Sequence, residues 1–372
     1  MTIPFVDVKC RSPKIRQEIS AAVEQAIDDG QYILGDQVAA FEHAFAGFSG
    51  GRHGIGLGNG TEALHLTLRA LGVGPGDEVI TAANTFVATA LAIAYTGAKP
   101  VLVDADPNDY LIDVDLIEQA ITPLTKAIVP VHLYGQPADM PAILEIAAKH
   151  DLPVVQDACQ AHGALIHGTP LAAFGTAACY SFYPSKNLGA YGDGGMVVTN
   201  SDTLAERIRM LRNYGQRSKN KYEMLGFNSR LDTMQAAILS VKLRYLAEGN
   251  EQRRAAAERY RQALARRTDF VLPTERAGVK HVYHLFVVQH PQRDELAAHL
   301  QDNGVQCGIH YPTPIHQIVS FESSRTLPEG APVATQLAGR ILSLPMFPEL
   351  ADEQIDRVAQ VLAAFDAKFA VA

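Results

Sequence analysis

Between about Asp77 and Asn200 short β-branched runs alternate with amphipathic stretches, and that alternation restricts the fold more than any other feature of the chain. EVITA (78–82), PVLVDAD (100–106), AIVPVHLYG (127–135) and PVVQDAC (153–159) read as buried strands. The stretches between them, residues 85–96, 115–121 and 139–149, carry helical spacing, with Pro141 placed where a first helical turn tolerates it. Strand–helix–strand alternation predicts a largely parallel sheet with helices on both faces. TAACYSFY (176–183) and GGMVVTN (194–200) add two strand candidates flanking a glycine-rich turn.

After Asp232 the texture changes. Residues 232–265 form a long polar helical pattern broken near Gly249. A strand candidate (VYHLFVVQ, 282–289), a helix (293–303) and a last helix with Ile355, Val358, Leu362 and Phe365 on one face follow. This predicts an N-terminal segment (1–24), a large α/β domain (25–240), and a linking helix with a smaller α+β domain (241–372).

With 47% hydrophobic and 19% charged residues, the composition is that of a soluble globular protein. The net charge of −8 argues against a nucleic-acid-binding surface, though not against a local phosphate pocket. Cys10, Cys159, Cys179 and Cys307 form no CxxC pair, so neither a zinc framework nor disulfides are expected, and a reducing cytoplasm is the natural setting. MTIPFVDVKC does not read as a signal peptide, and no run of 18 apolar residues predicts a membrane span.

Three stretches carry chemistry. In GLGNGTEALHLTL (56–68), glycines precede Thr61 and an apolar helical pattern follows, so free N–H groups and the helix dipole favour a phosphate there. A flexible turn with a Thr cap explains the stretch equally well. No strict GxGxxG and no Walker lysine are present. Asp157 ends an apolar strand, where ligands of open α/β sheets collect; a carboxylate there can pair with a protonated pyridine nitrogen, although a helix cap is the commoner use. Lys186 lies in SFYPSKNLGAYGDGG (181–195), twenty-nine residues after Asp157. A lysine partly removed from water is easier to deprotonate and can form a Schiff base with a carbonyl.

GNGTEAL, DACQAHG, SFYPSKNLGAYGDGG and GFNSRLDTMQAAIL together resemble the sugar aminotransferases of the DegT/DnrJ/EryC1/StrS family, fold-type I pyridoxal-phosphate enzymes. The resemblance runs from IPFVD to HYPTPIHQ (310–317). It implies that Lys186 holds pyridoxal 5'-phosphate and moves the proton, with the pyridoxamine form as intermediate. It further implies that Asp157 pairs with the ring nitrogen, Gln160 bonds near the ring hydroxyl, and Phe86 stacks on the ring. Thr61 and Glu62, beside Gly60, would offer N–H groups to the phosphate and Ser181 its hydroxyl. Asn228 would reach the partner's phosphate, making the active unit a homodimer. Tyr183, His310 and Tyr311 would line the sugar site.

The implied reaction moves an amine from a donor, glutamate, to a nucleotide-linked keto sugar. SFYPSKNLGAYGDGG, Tyr183 and GQRSKN (215–220) are most similar to the branch acting at position 3 of a dTDP-linked 3-keto-6-deoxyhexose; position 4 or a UDP-linked sugar are the alternatives. Family members that dehydrate sugars have histidine at the lysine position, so Lys186 speaks against that chemistry. A non-catalytic regulatory homologue is opposed by the intact set Lys186, Asp157, Gln160 and Ser181.

Other residues invite plainer readings. His281 and His284, three apart on a strand candidate, would face opposite ways, and no metal site is expected. His162 either backs Asp157 or packs. Asp104 and Asp106 would face solvent or cap a loop. Cys159 and Cys179 read as small core residues.

Overall fold

The computed structural model describes residues 2–9 and 12–365, so Cys10 lies outside the described residues. Helices α1 (Pro13–Asp29) and α2 (Asp36–Ser49) precede strand β1 (His53–Leu57) and α3 (Gly60–Ala70). There follow β2 (Glu78–Ala82), α4 (Val87–Ala94), β3 (Lys99–Val103), α5 (Val114–Ala120), β4 (Thr125–Val129), α6 (Met140–Lys149) and β5 (Val155–Asp157). Strands β6 (Ala177–Ser181) and β7 (Gly195–Thr199) lead to α7 (Asp202–Leu211), α8 (Thr233–Leu243) and α9 (Leu246–Leu264). The chain ends with β8 (Phe286–Gln289), α10 (Arg293–Asp302), β9 (Arg325–Leu327), α11 (Pro332–Ala338), β10 (Ile341–Leu344) and α12 (Asp352–Ala363).

Two four-stranded halves, in the orders β9–β3–β2–β4 and β5–β6–β7–β1, meet through parallel bridges Ile128–Val154 and Val131–Asp157. Within this sheet β7 runs against its described neighbours, and the other strands are parallel. The two-residue period of the strands divides their side chains between two cores. Ile80, Ile128, Tyr180 and Val198 face Phe41 and Phe45 of α2, Ile117 of α5 and Ile143 of α6. Val79, Val129, Cys179 and Val197 face Leu64 and Leu68 of α3, Ile93 of α4 and Ile208 of α7. Each such fully buried side chain contributes about 1.5–3 kcal/mol. A third core joins Tyr260, Phe286, Leu300, Leu342, Val358 and Leu362, with Ile3 from the N-terminal segment.

The structure corrects several boundaries. AIVPVHLYG is a strand only to Val129: Pro130 has no N–H to give a ladder, and Tyr134 (φ 58°) and Gly135 (φ 101°) turn left-handed. VYHLFVVQ is extended only from Phe286, after Tyr283 at φ 40°. His281 and His284 therefore lie in a buried loop, not on a strand. His281 stacks on Tyr283 and His284 bonds Asn187, and no metal-holding group of side chains exists among the described residues.

The long helical pattern breaks at Arg244–Tyr245, not at Gly249, which lies inside α9. The N–H groups of both residues bond three residues back, tightening the turn, and the Tyr245 hydroxyl donates to Glu18 of α1 at 2.8 Å. Residue 240 lies inside α8, and β9, far along in sequence, pairs with β3 of the large sheet. Asp104 is buried rather than solvent-facing: its carboxylate accepts the N–H groups of Val333 and Ala334 at the start of α11. No helix of the described residues is long and apolar enough to cross a membrane.

Candidate active site

The C-terminal ends of β1, β2, β5 and β6 point the same way, and each opens into a segment that carries a candidate residue. This is where open α/β sheets gather ligands.

After β1, Asn59 caps α3 by accepting the Glu62 N–H at 2.9 Å. The Glu62 N–H expected to face a phosphate is thus already paired. The N–H groups of Gly60 and Thr61, in the same turn, have no acceptor among the described residues. A Cβ on Gly60 would lie 2.7 Å from the Ser181 Cβ and 2.8 Å from the Cys159 Sγ. Only glycine lets the helix start approach Ser181 this closely, so two amides and a hydroxyl converge. Gly58 donates to the Ser229 hydroxyl at 3.1 Å, tying this turn to the Asn228 segment.

After β5, the buried Asp157 carboxylate is held at both oxygens: Oδ1 accepts the Cys159 N–H at 3.1 Å and Oδ2 the Thr89 hydroxyl at 2.7 Å. Thr89 escaped the sequence reading because a helical threonine usually bonds its own backbone. Gln160 uses its carbonyl for the Tyr134 N–H (2.7 Å) and its amide for the Tyr311 hydroxyl (3.1 Å). Phe86, at the start of α4, is 48% exposed, and its ring lies 5.2 Å from that of Tyr311.

After β6 comes the lysine loop. Asn187 anchors it, donating to Asn250 of α9 (2.8 Å) and to the Val282 carbonyl (2.9 Å). Burial holds the Lys186 ammonium below the usual lysine range, with Cys159 and Asp157 acting the other way. Its Nζ has no hydrogen-bond or ion-pair partner among the described residues. His162 and His310 are pushed down to about 3 and about 4, by burial first and by the Lys186 charge second. His162 packs among Phe45, Tyr180 and Phe182 and makes no bond to Asp157. Cys179 is buried in the core, and Cys159 lies half-buried beside Gly60.

The candidate sugar residues separate. Tyr183 is 56% exposed in the lysine loop. Tyr311 faces Gln160 and Phe86. His310 stacks on Phe5, bonds Ser343 at 2.9 Å and accepts the Tyr134 hydroxyl at its carbonyl. Asn228 is exposed, with its backbone bridged to Asn213.

The residues fit pyridoxal 5'-phosphate: unpaired amides and a hydroxyl in a cradle that a Cβ would fill, a fixed carboxylate, an exposed aromatic ring and an unpartnered amine.

Comparison with known proteins gives the family and the fold. The model of the DegT/DnrJ/EryC1/StrS aminotransferase family matches residues 13–363. A "Pleiotropic regulatory protein" of Geobacillus stearothermophilus is 48% identical over 100% of both chains. An Acidithiobacillus ferrooxidans UDP-N-acetyl-3-dehydro-α-D-glucosamine 3-aminotransferase is 49% identical over 97% of each. The dTDP-3-amino-3,4,6-trideoxy-α-D-glucose transaminase of Streptomyces venezuelae is 45% identical over 96% of this chain and 94% of its own. The crystal structure of S. venezuelae DesV in complex with a ketimine intermediate superposes with a TM-score of 0.95 at 44% identity, covering 98% of this chain and 100% of that one.

Proposed function

The chain belongs to the DegT/DnrJ/EryC1/StrS aminotransferase family, whose members use pyridoxal 5'-phosphate, and from that premise we propose that it aminates position 3 of a nucleotide-linked 3-keto hexose. The sugar is a dTDP-linked 6-deoxyhexose and glutamate is the donor. The enzyme works in the cytoplasm as a homodimer.

Pyridoxal phosphate supplies an electron sink for the carbon that gains or loses the amine. The Lys186 amine holds the group and then moves the proton at that carbon. Desolvation favours this role, because the neutral amine is the reactive form. Asp157 keeps the ring nitrogen protonated. Gly60 and Thr61, through their N–H groups, and Ser181, through its hydroxyl, hold the phosphate; Glu62 contributes position rather than its N–H. Phe86 covers the ring face, and Gln160 orients the ring edge while bound to Tyr311. Asn228 acts on the phosphate in the partner's site. Tyr183 and Tyr311 face the sugar, and His310 backs them.

The observation that carries this reading is the unpartnered Lys186 amine beside a carboxylate fixed at both oxygens. The test is incubation with glutamate and a panel of dTDP- and UDP-linked 3-keto and 4-keto sugars, with products analysed by mass spectrometry and NMR. A 3-amino sugar supports the reading; turnover of 4-keto sugars alone refutes it. The Acidithiobacillus relative favours a UDP-linked substrate as the second reading, and the panel separates the two. The name of the Geobacillus relative raises a regulatory role, for which a colourless protein inert on every sugar would speak.

A further inference from the structure

The stretch NTFVAT (84–89) holds more than the ring-facing Phe86. Thr85 and Thr89 are each 1% exposed, and their hydroxyl oxygens lie 2.8 Å apart. Thr89 Oγ1 is also 2.7 Å from Asp157 Oδ2, across 68 positions of sequence. An ionised carboxylate only accepts, so Thr89 donates to it. That leaves the Thr89 oxygen as acceptor for Thr85, and the proton order runs Thr85 to Thr89 to Asp157.

Two hydroxyls well inside this protein's helices take the local option instead. Thr67 bonds the Ala63 carbonyl at 2.7 Å, and Ser240 bonds the Ala236 carbonyl at 2.8 Å, both within their own helix four residues back. Thr89 turns from that local option toward β5. We propose that Thr85 and Thr89 form a hydroxyl relay that positions the Asp157 carboxylate against the α4 turn carrying Phe86. Both are positioning residues.

The consequence is geometric and electrostatic. With Oδ1 on the Cys159 N–H and Oδ2 on the Thr89 hydroxyl, the carboxylate cannot rotate, and its remaining lone pairs keep one direction. A donor to a charged acceptor is the stronger kind of hydrogen bond, and a second donor behind it polarises it further. Because Thr85 and Thr89 flank Phe86, the relay sets the ring-covering residue and the ring-nitrogen partner in one register.

This inference rests on the assignment of Asp157 to the ring nitrogen, so Asp157→Asn serves as the reference variant. Apoproteins are titrated with pyridoxal 5'-phosphate, and the pH midpoint of the visible band is measured on each holoenzyme. Thr89→Val should weaken binding about tenfold or more, the size of one lost hydrogen bond to a charged group, and shift the midpoint in the direction Asp157→Asn does. Thr85→Val should do the same more weakly, and Thr89→Ser should restore both readouts. Wild-type affinity and midpoint in Thr89→Val, with both altered in Asp157→Asn, would overturn the relay and leave the Asp157 assignment standing. Failure of serine to restore them would also overturn it, since the methyl group rather than the hydroxyl would then matter. No change in Asp157→Asn would remove the assignment and the relay together. If Thr89→Val fails to fold, Thr85→Val and Thr89→Ser decide the same question.

Discussion

The Gln160 amide donates to the Tyr311 hydroxyl at 3.1 Å, which joins the HYPTP segment to the strand-end motif that carries Asp157. In the proposed site Tyr311 would therefore touch both the cofactor's edge and the sugar, while Tyr183 stands exposed in the lysine loop. Tyr311→Phe should slow the glutamate and keto-sugar half-reactions by similar factors, about five- to tenfold for one hydrogen bond. Tyr183→Phe should slow the keto-sugar half alone. Stopped-flow spectra of each half-reaction check this, and the reverse pattern would exchange the two roles.

Gly60→Ala places a methyl group within 2.8 Å of Ser181 and Cys159, both on segments fixed by the sheet. Overpacking of this kind costs about 1–3 kcal/mol. The apoprotein should melt a few degrees lower, and cofactor affinity should fall further than the loss of stability explains, because Ser181 and the free amides are pushed apart. Cofactor titration against calorimetry separates the two effects. Wild-type affinity would show that the phosphate binds elsewhere.

Much of this site is legible in the sequence because its chemistry is local. GNGTEAL announces a helix start, and Pro141 correctly marks the first turn of α6. Asp157 is visible because a carboxylate ends an apolar strand. What escaped depends on contacts distant in sequence. Thr89 looks like a helical threonine until β5 is placed beside it. HVYH reads as strand because alternating bulky residues fit a pleat, yet Tyr283 turns left-handed and its ring stacks on His281. Gly249 looks like a helix breaker, but the real break is set by Tyr245 reaching α1. Asp104 caps a helix more than 200 residues away, a pairing no local pattern reveals.

His65 offers a test by pH. Both ring nitrogens are buried without a hydrogen-bond partner, between the rings of Tyr95 and Phe227. Burial first, and Arg69 second, hold it down at about 4. The unfolded chain takes up this proton near pH 6.5, which the folded state refuses until about pH 4. The contribution is therefore complete above pH 6.5 and is lost as pH falls toward 4, at about 1.4 kcal/mol per pH unit. His65→Leu should flatten the acid limb of the apoprotein's melting curve and raise stability at pH 7.5 by about 1 kcal/mol. An unchanged acid limb would contradict the buried neutral imidazole.

Asn228 is exposed, on a segment clasped to the start of α3 through Ser229. In the proposed homodimer it completes the partner's site. Lys186→Ala and Asn228→Asp homodimers should each be strongly impaired, and mixing them after mild dissociation should restore activity at one site per heterodimer. Sedimentation should give a dimer. A fully active monomer, or mixtures no better than the sum of their parts, would refute the shared site.

In the proposed site Lys186 is the residue that holds the cofactor. The direct measurement is borohydride reduction of the yellow holoenzyme, followed by proteolysis and mass spectrometry. The reduced pyridoxyl-phosphate mass should fall on the peptide containing SFYPSKN, at Lys186, and on no other lysine. Label at a different lysine, or an unlabelled protein from a preparation that still transaminates, would contradict it.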